Sequence, residues 1–195
     1  MPGSTPTSSQ TANQLANQFL IAMPSLADPN FSQTVTYMCD HNEDGAMGLV
    51  INRPLDLDID ALLSHLEIND TRRGQGYIPI YQGGPVQTER GFVLHREIGQ
   101  WEASIQVSDD IALTMSQDII EAIAHDEGPK NYLITLGYAG WGSGQLEEEL
   151  AANAWLNGPA DPAIIFELPV EQRWNAAAKH LGVELNNLSS DVGHA

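Results

Sequence analysis

Four acidic residues raise the first chemical question. Asp56, Asp58, Asp60 and Glu67 fall at the first, third, fifth and twelfth positions of a calcium-loop pattern. Such a loop turns sharply at its sixth position, normally glycine, but that position is Ala61, and Pro54 bars a helix from running into the loop. The carboxylates suit a helix N-terminus better, where they face unpaired N–H groups. The six histidines, His41, His65, His95, His125, His180 and His194, include no pair at chelating spacing, and a single cysteine offers one thiolate at most. No metal and no cofactor are therefore expected. Cys39, Asp40 and His41 place a nucleophile beside a base. Neighbours on a strand point to opposite faces, so Cys39 is expected to be a buried structural thiol, and no catalytic residue is assigned.

The segment from Leu133 to Leu150 is expected to form a strand, a glycine-rich loop and a helix. Gly137, Gly140, Gly142 and Gly144 free the backbone to approach a ligand, and the helix behind them offers N–H groups to an anion. The spacing matches neither the dinucleotide fingerprint nor a phosphate loop, and Glu147, Glu148 and Glu149 would repel phosphate. Tyr138 and Trp141, rings with polar tips, make the loop a candidate pocket wall. The competing interpretation is a structural turn in which Gly144 caps the helix and Glu147 occupies its third position.

The elements that position these groups follow from composition and periodicity. The chain has 195 residues, 42% hydrophobic and 17% charged, which suits one folded domain rather than a disordered chain. Residues 1–16 are polar and read as a flexible tail, 17–185 as the domain, and 186–195 as a loose end. Phe31 to Cys39 and Ala46 to Asn52, around a His41-to-Gly45 turn, read as a β-hairpin. Leu55, Ile59, Leu62, Leu63 and Leu66 fall at helical spacing. Short strands are expected at Tyr77–Tyr81 and Gly91–His95, with an alternating stretch from Ser104 to Thr114. A helix capped by Ser116 and stopped at Gly128-Pro129 comes next, then the strand Asn131–Gly137. Leu146, Leu150 and Ala154 share a helix face, Ala163–Phe166 reads as a strand, and Pro169–Leu181 as a helix closed by Gly182. Strands outnumber helices without strict alternation, so the class is α+β with a mixed sheet.

Charge excludes whole functional classes. Lys+Arg 8 against Asp+Glu 26 leaves a net charge of −18, with Arg72-Arg73 the one basic doublet and no basic residue before Arg53. Direct nucleic-acid binding, which rests on cations displacing counterions, is not expected. The longest early apolar run, Phe19–Met23, is far shorter than a bilayer span and no cationic flank precedes it, so a cytoplasmic protein free of membrane is expected.

Five motifs carry a resemblance. Phe19-Leu20-Ile21-Ala22-Met23-Pro24, Asp28-Pro29-Asn30-Phe31, Gly48-Leu49-Val50-Ile51-Asn52-Arg53-Pro54, Gly83-Gly84-Pro85-Val86, and Leu136-Gly137-Tyr138-Ala139-Gly140-Trp141 with Gly144-Gln145-Leu146-Glu147 stand in this order. Over about Phe19 to His180 the chain resembles the YqgE/AlgH family of bacterial proteins. The resemblance implies a single compact α+β domain whose bifurcated sheet curls into a pseudo-barrel with flanking helices. It also implies the bacterial cytoplasm, an association with alginate production and transcription, and no established reaction.

These readings converge on one candidate surface, where the Gly137–Glu147 loop meets Asn52, Arg53 and Pro54 and the turn Gly83, Gly84 and Pro85, with Tyr138, Trp141, Gln145 and Glu147 facing it. Arg53 is a fork-shaped donor in a cation-poor chain, placed either to pair with Glu147 or to meet an anionic ligand. The favoured function is a non-enzymatic regulatory domain that binds a protein or small molecule and affects transcription indirectly. One alternative is an enzyme using Asn52, Arg53, Trp141 and Glu147; another is a direct DNA-binding regulator, which the charge opposes.

Overall fold

The computed structural model describes residues 15–73 and 76–190. Its first strands are covered on both faces. In β1 (Gln18–Ala22), Phe19 and Ile21 enter one apolar cluster while Leu20 and Ala22 enter another. In β2 (Val35–Asn42), Val35, Tyr37 and Cys39 oppose Met38 in the same way. Burial on both faces is why these segments read as near-continuous apolar runs. The expected hairpin is present: β2 turns at Glu43-Asp44 into β3 (Gly45–Val50), with the Asn42 side chain accepting from the Asp44 N–H at 2.8 Å.

Several expected boundaries move. The helical spacing from Leu55 begins with a strand, β4 (Pro54–Asp58), which pairs with β5 (Pro79–Gln82); the helix α1 (Ile59–His65) follows, with Asp58 accepting from the Ala61 N–H at 2.9 Å as its cap. Asp60 pairs with Arg72, which also holds Asp70 at 2.6 Å, so two of the calcium-like carboxylates, Asp58 and Asp60, are used locally. After β6 (Val86–His95), β7 (Ser104–Gln106) and β8 (Ala112–Thr114) comes α2 (Asp118–Ala124). Ser116 is not its cap: its hydroxyl bonds Asp118 and accepts from the Ala103 N–H, tying the helix entry to β7. The helix also stops at Ala124, four residues before Gly128.

The largest correction concerns the glycine-rich loop, which is a strand. β9 (Tyr132–Gly142) continues through it, and the turn is confined to Ser143-Gly144 before α3 (Gln145–Ala151). Gly144 takes the N-cap position, as the turn interpretation held, with φ 73°. The strand β10 (Trp155–Pro159) follows. The expected strand Ala163–Phe166 is instead the helix α4 (Pro162–Phe166), because Asp161 accepts from the Ala163 N–H at 3.0 Å and Pro162 starts the helix. A 3-10 turn (Val170–Gln172) leads into α5 (Arg173–His180), and α6 (Leu185–Ser190) occupies part of the segment expected to be loose. Leu15, counted in the N-terminal tail, packs with Trp141 and Leu146; residues 1–14 and 191–195 lie outside the described residues.

The strands run β10-β1-β2-β3-β9-β6-β8-β7, and the sheet forks at β9. On one edge of β9, Gly140–Gly142 and Ala139 pair antiparallel with β3, whereas Thr135 and Leu136 pair parallel with β5. On its other edge β6 follows both halves. The result is a mixed α+β domain whose sheet curls into a half-barrel with helices around it. Gly137 sits at the fork with φ 76°, and a Cβ there would lie 2.5 Å from the Gly84 carbonyl oxygen. Its left-handed conformation inverts the strand's alternation. Ile134 and Leu136 pack with α1 and α2, but Tyr138, which would share their face on a regular strand, joins the opposite cluster.

Candidate functional site

The ten candidate residues separate into three groups. Asn52, Arg53, Pro54, Gly83 and Gly84 form a structural brace. Asn52 Oδ1 accepts from the Val35 N–H at 2.9 Å and its Nδ2 donates to the Gln33 carbonyl at 2.9 Å. Arg53 donates to the carbonyls of Pro29 at 2.6 Å and Ser32 at 2.9 Å, and does not meet Glu147. Its desolvation lowers the guanidinium pKa, against the opposing pull of Asp28. The fork thus holds the segment 24–34 as a strap, and the strap carries Phe31 onto Trp141 and Trp155, at ring-centroid distances of 6.0 and 5.4 Å. Pro54 opens β4, Gly83 donates its N–H to the Leu136 carbonyl at 2.9 Å, and Gly83 and Gly84 lie against the Gly137 and Tyr138 backbone too closely for any side chain.

Gln145 and Glu147 serve the turn after β9. The Gln145 side chain accepts from the Gly142 N–H at 3.0 Å, and Glu147 lies 2.7 Å from the ring of His41, a buried residue that the sequence reading did not place in the site. The Glu147 backbone N–H first, and His41 second, hold the Glu147 carboxyl below its ordinary pKa. Trp141 is 6% exposed and packs with both Phe31 and Trp155, so it forms a wall rather than a recognition group.

Tyr138 and Pro85 lead to the part of the molecule that is open. Between Val86 and Gly91 the pairing of β6 with β9 breaks: Gln87, Thr88, Glu89 and Arg90 stand opposite Gly137 alone and bulge outward, with Gln87 at φ 46°. Beneath one side of the bulge lies an open cleft of about 480 Å³. Its lining includes Asp40, Asn42 and Asp44 from the end of the β2–β3 hairpin, Met47, Arg90 and Phe92, Met115 and Tyr138, with Trp141 at its edge. Tyr138 meets Phe92 edge-on at 5.7 Å, and the Arg90 guanidinium lies 5.4 Å over the Phe92 ring. A guanidinium and two carboxylates therefore surround an aromatic and thioether floor. Such a surface can hold a small molecule that carries both charges on an apolar body.

The groups best suited to covalent or acid–base chemistry are employed elsewhere. Cys39 is buried with its thiol 3.7 Å from the Tyr37 carbonyl, and burial, with the Asp40 charge adding to it, pushes its pKa far up. That environment opposes the thiolate. His95 is fully buried, with Nδ1 3.0 Å from the Arg96 carbonyl and Nε2 2.7 Å from the Thr114 hydroxyl. Burial holds its pKa below the ordinary value, against the Arg96 carbonyl and the Glu97 charge. Among the described residues no cluster of three metal-ligating side chains is present, and no helix is long and apolar enough to cross a membrane.

Sequence reasoning missed Asp40, Asp44, Met47, Arg90, Phe92 and Met115. One signal was available: Asp40, Asn42 and Asp44 recur every second residue at a hairpin end, which puts them together opposite Cys39 and His41. Nothing local marks Arg90, because the bulge that presents it depends on Gly137 in a distant strand.

Known proteins match this chain over nearly its whole length. A family model described as AlgH-like matches residues 19–186. A UPF0301 protein of Thioalkalivibrio sulfidiphilus is 56% identical over 184 residues, covering 94% of this chain and 98% of the relative; one from Nitrosococcus oceani is 54% identical over 179 residues, covering 92% and 96%. The solution structure of the AlgH protein from Pseudomonas aeruginosa superposes with a TM-score of 0.74 at 50% identity, covering 100% of both chains. A crystal structure of a Corynebacterium diphtheriae protein, 16% identical with a TM-score of 0.72 over 97% of this chain and 94% of the other, shares the fold.

Proposed function

The chain belongs to the AlgH-like family, and we propose that it is a non-enzymatic binding domain of the cytoplasm whose cleft beside the β6 bulge takes a small dipolar ligand. The observation that carries this proposal is the joint lining of one cleft by Arg90, Asp40 and Asp44 over the Tyr138 and Phe92 rings. An ammonium group suits the carboxylates, an acidic group suits the guanidinium, and the aromatic floor takes the apolar body between them. Binding rather than turnover is favoured by the withdrawal of Cys39 and His95 into the core and by the engagement of His41 with Glu147. A regulatory output, including an indirect effect on transcription, would pass through the bulge Gln87–Arg90, which forms part of the cleft wall and faces solvent.

Thermal denaturation with three related probes tests the assignment: free L-tyrosine, with both charges; tyramine, with the ammonium only; and N-acetyl-L-tyrosine, with the carboxylate only. At about 100 times its Kd a ligand stabilises the fold by ~2.7 kcal/mol, or roughly 5–10 °C for a chain of this size. L-Tyrosine is expected to raise the melting temperature most, and Arg90→Ala is expected to remove its advantage over tyramine. Equal shifts from all three, or a shift unchanged in Arg90→Ala, would contradict the proposal.

A further inference from the structure

The opposite side of the same bulge faces a second, larger groove of different chemistry. Its volume is about 810 Å³, within the range of small-molecule sites. Leu62 and Leu66 of the α1 segment form one wall, and Ile134 and Leu136 of β9 form the floor. Leu62, Leu66 and Leu136 are only partly covered by the cluster they belong to. Gly91 sits at the edge with its side-chain position open: a Cβ built there meets nothing within 4 Å. Its backbone is not left-handed, so glycine is not required there by conformation, and its effect is to leave the groove unfilled.

The groove's described lining holds a single carboxylate. Glu89 lines it from the bulge, joined by the Thr88 hydroxyl and the His65 ring, and among the described lining residues there is no Lys or Arg. The adjacent Arg90 belongs to the first cleft, where it lies over Phe92. The bulge divides its residues between the two sides: Gln87 and Arg90 line the first cleft, and Thr88 and Glu89 line the second. An acidic group beside an apolar trough, in a chain of net charge −18, disfavours fatty acids and other anionic amphiphiles.

We infer that the groove between α1 and the β6 bulge is a second binding site, for a small apolar molecule with a cationic head that meets Glu89. Its apolar lining from α1, β9 and β6 suits the apolar part of such a molecule. The site is independent of the dipolar-ligand cleft, because the two share the bulge but no recognition group.

The test uses decyltrimethylammonium below its micelle concentration, with decanoate at the same concentration, titrated into the full chain and followed by the methyl resonances of Leu62, Leu66, Ile134 and Leu136. The cation is expected to shift these methyls saturably and the anion to leave them in place. Gly91→Phe puts a ring at the groove from a position where a Cβ has open space and is expected to weaken binding at least about tenfold; Glu89→Gln, on the exposed bulge, is expected to weaken it by several-fold at an unchanged melting temperature. Equal binding of decanoate, or equal binding of the cation by Gly91→Phe, would overturn the inference. So would a basic amphipathic peptide that shifts these methyls when the small cation does not, since the occupant would then be a protein segment. None of these outcomes depends on whether L-tyrosine binds the first cleft.

Discussion

Arg53 shows how a residue type can be read correctly and its partner wrongly. Its planar fork and isolation among few cations single it out in the sequence, but the carbonyls it grips belong to a strap whose path no local pattern reveals. Removing the fork should release the strap and uncover Trp141 and Trp155. Arg53→Ala is therefore expected to cost about 1–2 kcal/mol, roughly 2–8 °C in melting temperature, with a red-shifted tryptophan emission and unchanged ligand binding in the cleft. His95 supplies a second test at this scale. Its folded pKa lies below the ordinary 6.5. Above pH ~6.5 neither the folded nor the unfolded ring is charged, and the His95 contribution to stability is complete. As the pH falls from there towards the lower folded value, the unfolded ring gains a proton that the folded ring refuses, so stability declines. An NMR titration of the His95 ring is expected to show a midpoint below 6.5; a midpoint at or above it would remove this source of acid sensitivity.

Among the elements, the hairpin of β2 and β3 was legible because alternation and turn composition agree. The helix α4 was not: its Ile-Ile-Phe run is too short for periodicity to separate helix from strand, and the Asp161-Pro162 start signal settles it. The glycine-rich stretch misled for a different reason. Glycines usually punctuate strands, but here they let strands cross, so Gly83, Gly84 and Gly137 mark a close approach of backbones rather than a loop. This crossing holds the fork of the sheet and the bulge that shapes both clefts. Gly137→Ala adds a left-handed non-glycine residue and a contact with the Gly84 carbonyl that neither backbone can easily yield. A loss of at least about 3 kcal/mol, or roughly 6 °C or more, is expected by thermal denaturation monitored by circular dichroism. A melting temperature like that of the parent would mean that the fork tolerates a side chain.

For the whole molecule, charge decides what kind of partner can approach. With 26 acidic residues against 8 basic ones, the surface repels phosphate backbones at any distance where the charges are felt. No specific retardation of duplex DNA is expected in a gel shift at ~0.15 M salt with competitor DNA present, and a retarded band that survives the competitor would restore direct DNA binding. The one-domain α+β class was readable from the succession of elements, but the open face was not, since it arises where distant segments meet: a hairpin end, a bulge and an inverted strand. That face is where the ligand is expected to bind. Its most direct test is a backbone amide chemical-shift map of the full chain titrated with free L-tyrosine. Saturable shifts are expected at Asp40–Gly45, Gln87–Arg90 and Tyr138–Gly140, while Asn52, Arg53 and the strap stay still. Shifts centred on Arg53 and the strap instead, or none at millimolar ligand, would contradict it.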